Sequence, residues 1–163
     1  MSRPASPVPR WAQVTTLALS LAGLAVSGYL TYTHFQPQAL VCSGTGVVNC
    51  AAVTTSAQSY FLGVPVAILG LAHYALMTAL TTPWAWRARP YALHVARFVL
   101  GAGAMGFVLW LVGAELLIID HVCLWCSAVH VVTFALLVVL TRVGPAQLGW
   151  TARGASGSAA PAR

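Results

Sequence analysis

The residues of this chain best suited to chemistry are four cysteines, and they fall in two pairs. Cys123-Leu124-Trp125-Cys126 opens a long apolar run that reaches Leu140 without a charged residue. Cys42 and Cys50 stand in a polar loop, rich in Ser, Thr and Gly, between two other apolar runs. A thiol pair at the start of an apolar helix has two main uses, disulfide exchange and metal binding. A Cys-x-x-Cys there puts both sulfurs on one helix face. The unpaired N–H groups of the first turn and the positive end of the helix dipole favour thiolate over thiol, and thiolate is the nucleophile of disulfide exchange. A four-thiolate metal centre, in a membrane metal-binding or redox-sensor protein, is the alternative, although Cys42 and Cys50 are spaced more loosely than a metal knuckle. The bland reading makes all four small buried hydrophobes. Spacing alone does not choose among the three possible disulfide connectivities.

The segments that position these sulfurs are hydrophobic throughout. Of 163 residues 59% are hydrophobic and only 6% charged, against about 25% charged in soluble domains, so a soluble fold is excluded. The mean hydropathy of +0.81 agrees. Four runs are suited to cross a bilayer, which takes roughly 20 apolar residues per helix. The first, Ala12 to Tyr32, is longer than the apolar region of a cleaved leader and reads as a retained span, with Gly23 and Ser27 as a small-xxx-small patch for close helix approach. The second, Val64 to Leu80, places Pro65 in a first helical turn. The third ends at Ile119. The fourth begins at the Cys-x-x-Cys with Asp120 as N-cap and closes at Arg142. Between the first two, Val53, Ala57, Tyr60 or Phe61, and Val64 recur at helical spacing, predicting a short amphipathic helix at the membrane surface. The fold class is therefore an all-α membrane protein, a four-transmembrane-helix bundle with one short surface helix. Residues 11–143 form the membrane domain, with an N-terminal tail over 1–10 and an unstructured tail over 144–163.

Charge gives the orientation. All eight basic residues are arginines, at 3, 10, 87, 89, 97, 142, 153 and 163. With four spans, every one falls on the side of the two termini and the 81–97 connector, while both cysteine segments share the other side. The arginines are scattered, not gathered on a face, so nucleic acid is not the partner; the lipid bilayer is. The positive-inside rule makes the arginine side cytoplasmic. The cysteines then face the periplasm, where disulfides persist.

Two loop cysteines before a second span, and a Cys-x-x-Cys opening the fourth, resemble the vitamin K epoxide reductase (VKOR) family, specifically its bacterial members. Ser56, six residues after Cys50, matches that family's serine, and Gly63-Val64-Pro65 matches its Gly-Ile-Pro-like turn. The resemblance covers about residues 12–141. In the DsbB family, which does the same work, the Cys-x-x-Cys sits in the first extracytoplasmic loop instead. The resemblance implies a quinone-dependent thiol oxidoreductase in a bacterial inner membrane. Cys42 would meet a separate periplasmic thioredoxin-like (DsbA-like) protein, Cys50 would pass electrons to Cys123, and Cys126 would face the quinone, ubiquinone or menaquinone. No thioredoxin-like domain follows Arg142. Animal members carry Thr-Tyr-Ala where this chain has Val129-His130-Val131, so epoxide reduction is not among the implications.

Two polar residues are candidate quinone ligands, Ser56 and His130. His130 lies about two helical turns beyond Cys123 on the same face, and polar residues inside a membrane are functional hypotheses. Glu115 lies near the same surface as a snorkelling residue or a proton carrier. His73, in mid-span, reads as a satisfied packing residue, His34 and His121 as outer-surface residues, His94 as lying at the cytoplasmic end, and Trp84 and Trp86 as interface anchors.

Overall fold

In a computed structural model the chain forms helices α1 (Arg10–Phe35), α2 (Cys50–Thr54), α3 (Val66–Thr81), α4 (Pro83–Arg87), α5 (Tyr91–Ala114) and α6 (Leu124–Gln147). The structure describes residues 8–42, 46–88 and 91–147. The all-α membrane bundle is as expected. Helix α1, α5 with its extension to Ile119, and α6 to Pro145 are each long and apolar enough to cross a membrane. Helix α3 has 16 residues, about 24 Å at 1.5 Å per residue, and is shorter than the roughly 30 Å hydrocarbon core.

The packing follows from where small residues fall. The buried face of α1 is Ala12, Thr16, Ser20, Gly23, Ser27 and Leu30, a stripe that lets backbones approach closely. Thr16 and Ser20 donate to the carbonyls of Ala12 and Thr16, each at 2.8 Å, so their hydroxyls cost nothing by being buried. Tyr74 of α3 lies against Gly23, where any side chain would overlap its ring. Its hydroxyl reaches Thr133 Oγ1 at 2.7 Å and the Val129 carbonyl at 3.2 Å on α6, so one residue ties three helices together. Helix α1 packs on α3 and α6, and α6 also on α5, whereas α3 and α5 touch only lightly. The four long helices therefore form a ring that is loosest between α3 and α5.

At the opposite end from the cysteines, Arg97 is 1% exposed. It donates to the Leu80 carbonyl at 2.8 Å and the Ala85 carbonyl at 2.6 Å, and sits 3.0 Å from His94 Nδ1. The last carbonyls of α3 and the connector thus have a partner that the helix itself cannot supply. Trp86 lies under the guanidinium, 3.9 Å from carbon to ring centroid, and is buried. It is a packing residue, not the interface anchor expected; Trp84, 79% exposed, fits that role.

Other expectations shift at their boundaries. The surface helix is shorter and earlier than its periodicity predicts. Asn49 Oδ1 caps α2 by accepting from Ala52 N at 3.0 Å. Ser56 ends it, its hydroxyl donating to the Val53 carbonyl at 2.8 Å. Strands β1 (Tyr60–Phe61) and β2 (Val64–Pro65) then pair as a hairpin, turning through Leu62 (φ 51°) and Gly63 (φ 82°), the two positive φ values of a tight hairpin turn. Pro65 therefore precedes α3 and is not in its first turn. Asp120 does not cap α6: it takes the left-handed conformation (φ 55°) and ends the turn after α5. Helix α6 runs past Arg142 and Gly144 to Gln147, with Pro145 inside it. Residues 148–163 of the expected tail, and 1–7 of the N-terminal one, lie outside the described residues.

Candidate active site

Cys42 and Cys50 are joined by a disulfide, and Cys123 and Cys126 are free thiols. Both pairs pack in one cluster: Cys50, Val53 and Cys123 are buried, with Leu40, Cys42, Ile119, Trp125 and Cys126 against them. Two features absent from the sequence reading set this register. Val48 and Val122 form a parallel β-bridge, in which Asn49 N donates to the Val122 carbonyl at 3.1 Å and Val122 N to the Val47 carbonyl at 2.9 Å. Cys123 directly follows one side of the bridge, and Cys50 stands two residues beyond the other. At the other end of the loop, Trp125 Nε1 donates to the Val41 carbonyl at 2.7 Å. The Tyr29 hydroxyl accepts from Val41 N at 2.8 Å and donates to the Ala39 carbonyl at 3.2 Å, and the Tyr29 and Trp125 rings lie 4.7 Å apart. Thus the residue before Cys42 and the residue before Cys50 are both pinned to the Cys-x-x-Cys segment.

The two inner thiols are not equivalent. Cys123 occupies the cap position of α6: its carbonyl accepts from Ser127 N at 2.9 Å, and its sulfur accepts from Cys126 N at 3.3 Å. A hydrogen bond from the Cys126 thiol holds the Cys123 thiol below its usual range; the backbone N–H of Cys126 adds to this and burial opposes it. Removing the Cys126 thiol should therefore raise the Cys123 titration. In a protein lacking Cys42 and Cys50, ultraviolet thiolate absorbance of the inner pair is expected to rise below the ordinary cysteine value of about 8.5. After Cys126→Ala the same absorbance should move upward in pH. An unmoved midpoint would show that the neighbouring thiol is not what holds Cys123 down.

Cys126, one turn deeper, lines an open cavity of about 410 Å³ bordered by α1, α3, α5, α6 and the segment after α2; Cys123 does not. Most of the wall's surface is apolar, although about a third of the residues on it carry polar side chains. Ser56 and His130 both reach it, as do Glu115, His34 and His73. His73 Nε2 is buried there without a hydrogen-bond partner, so His73 is not the satisfied packing residue that its mid-span position suggests. His121 stays in the loop, its Nδ1 2.8 Å from the Ile119 carbonyl. Among the described residues no three His, Cys, Asp or Glu side chains gather as a metal site.

An apolar helical bundle that stacks a disulfide on a Cys-x-x-Cys, with the deeper sulfur opening into an apolar cavity, is built as a membrane thiol–disulfide oxidoreductase. A model of the Vitamin K epoxide reductase family matches residues 14–141, and the chain belongs to that family. A search of curated proteins gave no match. Membership accounts for an oxidoreductase that works on disulfides from within the membrane.

Proposed function

We propose that this protein oxidises a separate thioredoxin-like (DsbA-like) protein on the periplasmic face of a bacterial inner membrane and passes the electrons to a quinone, thereby sustaining disulfide formation. The observation that carries this reading is the position of Cys126 on the cavity wall, with Cys123 behind it in contact with the Cys42–Cys50 disulfide cluster. One sulfur meets an apolar oxidant and another meets the outer pair. The arginine map supports the orientation, with residues 11–143 as the membrane domain and the tails cytoplasmic.

The cavity suits a quinone ring. Its volume falls within the range of small-molecule sites, and its wall is mostly apolar. It also holds polar groups able to bind carbonyl oxygens: His130, the orphaned His73 Nε2, and Ser56, although that hydroxyl donates to the Val53 carbonyl. When bound, a quinone accepts two electrons and two protons.

A partner thiolate attacks Cys42, breaking the Cys42–Cys50 bond, and the partner's second thiol displaces Cys42, so the partner leaves as a disulfide and the outer pair as thiols. Cys50 then attacks Cys123 of an oxidised inner pair and releases Cys126. Cys42 closes back on Cys50 and releases Cys123. A thiol of lowered pKa leaves faster, so the hydrogen bonds on Cys123 favour this inward step. The inner pair finally gives up two electrons, with whatever protons its sulfurs carry, and returns to the disulfide.

The test is an assay with purified protein in lipid nanodiscs, using a reduced thioredoxin-fold protein as donor and ubiquinone or menaquinone as acceptor. Quinol and donor disulfide should form in equal amounts. Thiol oxidation without quinol, or tight binding of zinc in place of turnover, would favour the metal or sensor reading.

A further inference from the structure

Glu115 is a buried carboxyl that none of these steps uses. It begins a π-helical turn, Glu115–Ile119, that continues α5. Such wide turns disturb the helical register, and they recur at functional sites. Leu116, Leu117 and Ile118 point outward, 55%, 83% and 61% exposed, whereas Glu115 is 5% exposed. It lines the same cavity as Cys126 and His130, and its carboxyl lies beside the backbone N–H of Cys123. The acid therefore touches both the thiol segment and the space in front of Cys126.

Among the described residues no arginine pairs with it. The nearest on its own helix, Arg97, is 18 residues away, about 27 Å along the axis, and the chain contains no other basic type except His. Burying a lone charge costs free energy, so a structural role alone would be served as well by Gln. The other titratable groups facing the cavity are Cys126 and His130 of α6, His73 and Tyr74 of α3, and His34 of α1.

We propose that Glu115 is the proton donor of the cavity, holding a proton beside the inner thiols and giving it to a carbonyl oxygen of the oxidant as Cys123 and Cys126 close into a disulfide. This rests on the quinone reading above. With Cys123 as thiolate the inner pair carries one proton, on Cys126, while the product needs two. Glu115 supplies the second. Reactants are the Cys123 thiolate, the Cys126 thiol, protonated Glu115 and quinone; products are the Cys123–Cys126 disulfide, the Glu115 carboxylate and quinol, with charge and protons conserved. Glu115 regains its proton from water at the face where Asp120, five residues on, is exposed.

The experiment mixes fully reduced protein in nanodiscs with a short-chain quinone, following quinol formation and, with a pH-indicator dye, proton uptake. In the wild type, uptake should lag quinol formation, because the carboxyl is refilled afterwards. Glu115→Gln keeps an acceptor for the Cys123 N–H and should keep its thermal midpoint, but form quinol roughly 100-fold more slowly, the lower range for loss of a general acid. Its proton uptake should coincide with quinol formation. Glu115→Asp should recover part of the rate. A Glu115→Gln protein with wild-type rate overturns the proposal, as does wild-type uptake that already coincides with quinol formation. A wild type that reduces no quinone overturns the quinone reading itself.

Discussion

Cys126→Ala is expected to abolish quinone reduction with every donor, protein or small thiol, lowering turnover by on the order of 10³-fold or more, the scale seen when enzymes lose a nucleophile. The reason is positional. Cys126 is the sulfur on the cavity wall, whereas Cys123 is 0% exposed and faces the loop cluster. A remaining Cys123 thiol cannot reach an acceptor in the cavity and has no neighbour with which to close a disulfide there. The substitution removes one polarisable atom from an apolar wall, so the thermal midpoint should change little, and unfolding does not explain the loss. The measurement is single-turnover quinol formation from dithiothreitol-reduced protein. If Cys126→Ala retained substantial quinol formation while Cys123→Ala lost it, the roles of the two sulfurs would be reversed.

The placement of the sulfurs is partly legible in the sequence. The apolar runs are long and uninterrupted, and a membrane span is a signal of composition over 20 residues that no single contact can undo. Gly23 was likewise legible, since a small residue inside a span has few uses other than close approach, and Tyr74 occupies the space it leaves. The two cysteine pairs share a side because helix count parity puts them there. Their contact is another matter. It depends on a parallel bridge of one residue pair, Val48 with Val122, too short to leave a periodic pattern, and on a Trp125–Val41 hydrogen bond spanning 84 positions.

The failures have a common physical origin, in residues that serve two conformations. Asp is favoured at helix N-caps and also tolerated in the left-handed region; at Asp120 the second use prevails, and the sulfur of Cys123 takes the capping position instead. Val53, Ala57, Tyr60 and Val64 keep a helical period by coincidence, because Ser56 closes α2 and the Leu62–Gly63 turn folds the rest back as a hairpin. Mid-span polarity was ambiguous in the same way: the Tyr74 hydroxyl found partners on α6, while its neighbour His73 found none for Nε2. Arg97 lies at the end away from the cysteines, as its charge suggested, but its bonds to two carbonyls and its contact with a tryptophan ring left no mark in the sequence.

Cys42→Ala should divide the donors. Turnover with a reduced thioredoxin-like protein is expected to fall to background, because Cys42 is the half-buried member of the outer disulfide and Cys50, 1% exposed, is closed to a folded partner. A small dithiol should still drive much of the quinone reduction. It can enter a 410 Å³ cavity that no protein can enter, and there it meets Cys126, which is only partly buried. Attack on Cys126 opens the inner disulfide directly and bypasses the outer pair. Initial rates with the two donors, compared in the same nanodisc preparation, give the result as a ratio, which a general loss of folded protein would leave unchanged. Equal loss with both donors would mean that the outer pair also gates the cavity, and that electrons have no route to Cys126 except through Cys50 and Cys123.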